Sequence, residues 1–149
     1  MFETIVWATD GSELADRALE HVRTLARVHG SRVVAVHANE LLHGRFGGAP
    51  LLVEEPDLRA KIEQQVAELK AQGFDVELDI ATGGGDVPDL IARAAEEVHA
   101  DLIVVGTHGH GAVATALLGS VAKALLHVAP CPVLAVPPLR GAATEPTAA

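Results

Sequence analysis

The sequence predicts an open α/β fold: a five-stranded parallel sheet with helices on both faces, in one Rossmann-like domain. Three observations predict it. Short apolar runs rich in β-branched residues alternate with segments of helical periodicity, the pattern of a parallel sheet built from right-handed crossovers. The runs at 4–9 and 102–105 read as strands buried on both faces. Gly106, Gly109 and Gly111 follow the second run at once, and Gly119 precedes a new helical pattern at Ser120.

In chain order, residues 4–9 form the first strand. Asp10-Gly11-Ser12 is a turn and helix start, after which Leu14, Ala18, Val22 and Leu25 recur at helical spacing until Gly30 stops the helix. The second strand is 32–38. Residues 39–56 are a long connection with Gly44, Gly47, Gly48 and two prolines. Unstructured connections of this length are uncommon and often functional, and this one is expected to order over a ligand as a flap. A helix over 57–72 puts Leu58, Ile62, Val66 and Leu69 on one face, and Gly73 ends it. The third strand, 75–81, alternates Val76, Leu78 and Ile80 with acids, which suggests a sheet edge with one wetter face. Asp86 can cap a helix reaching about Ala100, with Pro88 tolerated in its first turn. The fourth strand is 101–106. A helix over Ser120–Val128 carries apolar Val121, Ala124, Leu125 and Val128, and the fifth strand is 132–136. Residues 138–149 are expected to be a disordered tail behind a single domain of 1–137.

Composition narrows the classes. A chain of 149 residues suits one domain with a real core, and 49% hydrophobic residues exclude a disordered chain. A formal charge of −9 with no basic block argues against nucleic acid as the main partner. No apolar run approaches a membrane span, and the N-terminus lacks a signal peptide's basic and long apolar regions. One cysteine, Cys131, allows no internal disulfide; set between Pro130 and Pro132, it reads as a small buried residue rather than a nucleophile. These points favour the cytoplasm.

The glycine loop carries the chemistry. Ser120 is a good N-cap, and the first amides of a helix have no internal partners while the helix dipole makes that end partly positive. A glycine loop facing such an end cradles an anion, which predicts a phosphate-bearing ligand. A P-loop is absent. Gly109-His110-Gly111-Ala112-Val113-Ala114 fits the dinucleotide pattern, but it comes late in the chain and no acid follows in 128–138. That reading is rejected. If the strand order reverses between the first and fourth strands, Asp10 lies beside Gly106 at the carboxyl ends where open sheets bind ligands. Its carboxylate suits ribose hydroxyls or a metal riding on phosphates, and equally a helix cap. His108 and His110 suggest a metal pair, yet a site needs three or four ligands, and loop histidines near phosphates are more often donors or solvated. Lys123 can reach a phosphate or face solvent. No nucleophile triad, carboxylate pair or phosphoryl-transfer base can be placed.

On these residues the chain resembles the universal stress protein family over nearly its whole length. The family's mark is Gly-x2-Gly-x9-Gly-Ser/Thr, which Gly106, Gly109, Gly119 and Ser120 satisfy. Asp10-Gly11-Ser12, Val36-His37-Ala38 and Ala129-Pro130-Cys131-Pro132-Val133 also look like it. The resemblance implies strand order 3-2-1-4-5, a homodimer and, in the motif-bearing branch, ATP binding with Mg²⁺. Carried over, it makes Gly106 and Gly109 the close-approach positions for ribose and phosphate. Gly119, Ser120 and Val121 would hold the outer phosphates, and Ala8, Ala38 and Val105 would line the adenine pocket. Thr9 and His108 complete the set, and Asp10 would sit near ribose and metal. Ala8 stands where the family often has proline and Ala38 where it often has valine; smaller side chains bury less apolar area against the base.

The dimer is expected through Pro132 to Val136, an uncharged apolar edge that can pair with its own copy about a two-fold axis. The implied function is ATP-binding regulation in a stress response, with an unidentified protein partner and at most slow ATP hydrolysis. The alternatives are a dimeric interaction protein of the branch without nucleotide, a cyclic-AMP binder, or an adenylating ligase of a related fold. Lack of room for a substrate domain counts against the last.

Overall fold

The computed structural model describes residues 1–42, 51–52, 55–108 and 118–139. Its strands are β1 (Thr4–Ala8), β2 (Arg32–Leu42), β3 (Leu51–Leu52), β4 (Val76–Gly83), β5 (Leu102–Gly106) and β6 (Val133–Val136). Its helices are α1 (Glu13–His29), α2 (Pro56–Ala71), α3 (Val87–Glu97) and α4 (Ser120–Val128). Five parallel strands lie in the order β4-β2-β1-β5-β6, and β3 adds a short antiparallel pair at the end of β2. Counting the parallel strands alone, this is the order 3-2-1-4-5. The chain moves outward from β1 through β2 to β4, then returns to the other side of β1, so the order reverses between β1 and β5.

The alternation of each strand splits the interior into two cores. Ile5, Trp7, Val33, Ala35, Val76 and Val104 face α1 and α2. Val6, Ala8, Val34, Val36, Ile103 and Val105 face α3 and α4. A fully buried aliphatic side chain contributes about 1.5–3 kcal/mol, so both layers are needed. α1 starts at Ser12, an extended N-cap whose side chain accepts from the Ala15 amide. It buries Ala15, Ala18, Leu19, Val22 and Ala26. The first of these accepts the indole N–H of Trp7 on its carbonyl at 3.0 Å. α3 is capped by Asp86, as expected, with the Asp89 amide donating at 3.3 Å.

Several boundaries differ from the sequence reading. β2 continues past Ala38 to Leu42 because Asn39 and Glu40 keep register with Thr82 and Gly83 of a longer β4. Leu41 and Leu42 then pair with Leu52 and Leu51, so the 39–56 connection is not wholly without strand. Residues 43–50 and 53–54 of the expected flap, and 140–149 of the expected tail, lie outside the described residues. α3 stops at Glu97, and His99 takes φ 52°, turning the chain before Ala100. Asp101 precedes β5 instead of opening it. Its Oδ2 accepts from the amides of Glu3 and Thr4, both at 2.9 Å, which ties the starts of β5 and β1 together. Those two bonds hold its carboxyl below the usual range. α4 buries Ala122 and Leu125, while Val128 is 43% exposed. Among the described residues no helix is long and apolar enough to cross a membrane.

Candidate functional site

The reversal point lies between the carboxyl ends of β1 and β5, and each bank is built by short-range bonds. On the β1 bank, Thr9 is buried. Its N–H donates to the Val36 carbonyl at 2.9 Å, and its Oγ1 accepts from the Gly11 amide at 3.1 Å. Its carbonyl accepts from His37 Nδ1 at 2.9 Å; a carbonyl can only accept, so that ring nitrogen carries the proton. Asp10 Oδ1 accepts from the Ser12 amide at 3.0 Å, an Asx turn. Ser12, not Asp10, is therefore the helix cap. From α2, Lys61 Nζ donates to the Gly11 carbonyl at 2.7 Å and pairs with Asp16 at 2.8 Å. Gln65 Nε2 donates to the other Asp16 oxygen at 2.8 Å.

On the β5 bank, the Thr107 amide donates to the Val136 carbonyl at 3.0 Å, and the Thr107 carbonyl accepts from the Gly119 amide at 2.6 Å. Residues 107 and 119 are thus held against each other. Thr107 Oγ1 and His108 Nδ1 lie 2.9 Å apart. A Cβ on Gly119 would stand 2.6 Å from the Thr107 carbonyl oxygen, and one on Gly106 would stand 3.0 Å from Leu14 Cβ and 3.1 Å from its backbone carbon. Chain-to-chain contact requires both glycines: one closes the loop, the other lets α1 lie on β5.

α4 begins at Ser120, with Gly119 as an extended cap (φ −66°, ψ 160°) and no side-chain cap bond. This corrects the expected Ser120 cap. The Thr107 bond fixes Gly119 as the last extended residue, so Ser120 takes the first helical position and is exposed. The first bond of the helix runs from the Lys123 amide to the Gly119 carbonyl at 3.0 Å. The amides of Ser120, Val121 and Ala122 have no acceptor within the helix, and the dipole favours an anion there.

Ala8 and Val105, at or next to the carboxyl ends of β1 and β5, belong to the core on the α3/α4 side, and Val121 of the first turn of α4 packs against it. Ala38 packs against the same core from within β2, two residues beyond the Val36 that pairs with Ala8. Gly109, His110 and Gly111 lie outside the described residues. Lys123 is exposed. Burial raises the Cys131 thiol, which keeps it protonated and unreactive at neutral pH. Among the described residues no three His, Cys, Asp or Glu side chains converge on a possible metal position.

A concavity of about 200 Å³ lies at the outer strand, where Asp79 of β4 meets Leu90, Arg93 and Glu97 of α3. It is lined also by Ala81, the register partner of Ala38, and sequence periodicity carried no sign of it.

Fold and site define a class: a doubly wound α/β protein whose strand order reverses between β1 and β5, with an acid-bearing turn after the first of these strands and a bond from Gly119 back to Thr107 after the second. The model of the universal stress protein family matches residues 1–137, and the chain belongs to that family. It is 39% identical over 137 residues to the universal stress protein in the QAH/OAS sulfhydrylase 3′ region of Thermus aquaticus, covering 91% of this chain and 99% of that one. The solved structure of MJ0577 from Methanocaldococcus jannaschii superposes with a TM-score of 0.75 at 26% identity, covering 93% of this chain and 98% of the other. A universal stress protein from Archaeoglobus fulgidus, solved in complex with dAMP, gives 0.63 at 26% identity over 91% and 98%.

Proposed function

We propose that the protein binds an adenine nucleotide, ATP with Mg²⁺, in the crevice between β1 and β5, and acts in the cytoplasm as a regulatory protein rather than an efficient enzyme. One observation carries this reading. Ala8 and Val105 share one core, Ala38 and Val121 pack against it, and Val121 lies in the first turn of a helix whose first amides have no helical partner. An apolar wall suits a base, and a helix start suits phosphates. The spacing of Gly106, Gly109, Gly119 and Ser120 and the dAMP-bound relative support the choice of an adenine nucleotide. Mg²⁺ is usually held by one or two carboxylates plus phosphate oxygens, and Asp10 fits that donor set with the nucleotide supplying the rest. No residue is assigned a catalytic role. The reading includes a homodimer through β6 and an unidentified protein partner that senses the bound state.

The test uses Ser120→Asp. A carboxylate in the first turn complements the helix dipole, so the melting temperature should hold or rise. The same charge repels phosphate, so calorimetry should show ATP binding weakened at least tenfold and AMP binding weakened less. Gly119→Val is unsuitable, because its Cβ would strike the Thr107 carbonyl. A wild-type protein that binds none of ATP, AMP or cyclic AMP would defeat the reading.

A further inference from the structure

We propose that His37 is a positioning residue: it sets the direction of the Thr9–Asp10 peptide, and with it the β1 bank of the crevice. β1 ends at Ala8, so Thr9 lies beyond the strand. β2 holds it by two different means. The Val36 carbonyl takes the Thr9 N–H at 2.9 Å, and His37, the next residue, donates Nδ1–H to the Thr9 carbonyl at 2.9 Å. Both backbone groups of Thr9 therefore face β2. In a planar trans peptide the carbonyl and the following N–H point in opposite directions. The Asp10 N–H is accordingly turned away from β2, toward β5 and across the switch point. The same peptide plane fixes where the Asp10 side chain starts, and the Ser12 amide fixes one of its oxygens.

The ring suits this task. It is half-buried, and its two side-chain torsions leave little freedom once the bond forms. A carbonyl left without this donor could rotate with its peptide, which would reverse the Asp10 N–H and loosen the bonds that Gly11 and Ser12 make to Thr9 Oγ1 and Asp10 Oδ1. The consequence for nucleotide rests on the function proposed above; the consequence for the turn does not.

The experiment measures amide exchange by NMR in the nucleotide-free protein. In His37→Ala, the Gly11 and Ser12 amides should exchange at least tenfold faster than in wild type, while Val104 in the sheet keeps its protection. His37→Asn places an amide N–H near the Nδ1 position and should restore slow exchange. His37→Gln reaches the Nε2 position instead and should not. Should the Ala variant fail to fold, the Asn and Gln pair carries the comparison alone. ATP affinity by calorimetry should follow the same order, with wild type and Asn at least fivefold above Gln. Unchanged exchange in both Ala and Gln variants overturns the proposal, as does a wild-type ring whose ¹⁵N shifts show the proton on Nε2. Slow exchange lost in Gln and restored in Asn, with no nucleotide bound by any variant or by wild type, supports the role of His37 and overturns the nucleotide reading.

Discussion

Asp79 stands on β4 in the shallow cleft beside α3, and its carboxyl sits above the usual carboxylate range. Burial is the main cause, and Glu97 and Glu77 push the same way. A raised folded value means that the native state holds the proton more tightly than the unfolded chain, whose aspartates titrate near about 3.9. Stability then falls as pH rises through that window. Asp79→Asn should therefore raise the melting temperature at pH 7, and the gain should shrink as the pH drops into the range where Asp79 takes up its proton. Calorimetry at the two pH values checks this, and identical melting at pH 7 would count against it. Residues of this kind were poorly legible in the sequence. The alternation around Asp79 showed an edge strand, but Glu97, which helps raise its carboxyl, comes from another element. The glycines were legible as positions and illegible as causes, since Leu14 and the Thr107 carbonyl are tertiary partners. Ser120 was misplaced for the same reason. Serine and glycine both serve as caps, and the bond from Gly119 to Thr107 decides between them.

Among the elements, α2 is the least conventional. It buries Ile62, Val66 and Leu69, and polar contacts seat the rest of it. Lys61 and Gln65 grip the Gly11 carbonyl and both oxygens of Asp16, and the Leu58 side chain fills the space a Cβ on Gly11 would need. Lys61→Met keeps the stem and removes the charge and the donor. Because the ion pair is well exposed, the loss in urea unfolding should be about 1 kcal/mol or less, while amide exchange at Gly11 and Ser12 should quicken. A variant with wild-type exchange there would show that α2 does not brace the turn. Helical periodicity revealed α2 to within a residue, yet it could not reveal the seat, because Asp16 and Lys61 belong to different helices. The extension of β2 was hidden in another way. Among the described residues Leu41–Leu42 and Leu51–Leu52 pair only with each other, and the sequence between them, with Gly44, Gly47, Gly48 and Pro50, reads as loop.

For the molecule as a whole, alternation of strand and helix was enough for the parallel sheet, and the family resemblance supplied its order. The proposed dimer rests on the edge. Among the described residues β6 pairs only with β5, and Leu134 (37% exposed), Leu126 (58%) and Val128 (43%) leave apolar surface on β6 and α4. A two-fold axis beside β6 would join these surfaces and the two strand edges at once. Leu134→Lys, which sets a charge on each copy at that edge, should give monomers in analytical ultracentrifugation. A dimeric variant, or a wild type already monomeric at micromolar concentration, would remove the proposed interface. The bond between Thr107 and Gly119 reaches further than the end of β5. It holds two residues together that stand far apart in the chain, so the start of α4 is tied to the end of β5 by the fold itself. Doubling the length of chain between two such fixed points adds only about 0.6 kcal/mol of closure entropy. A change of length between them should therefore leave the two cores standing while it breaks the spacing of Gly106, Gly109 and Gly119 on which the nucleotide proposal rests, so folding and binding can be inherited separately.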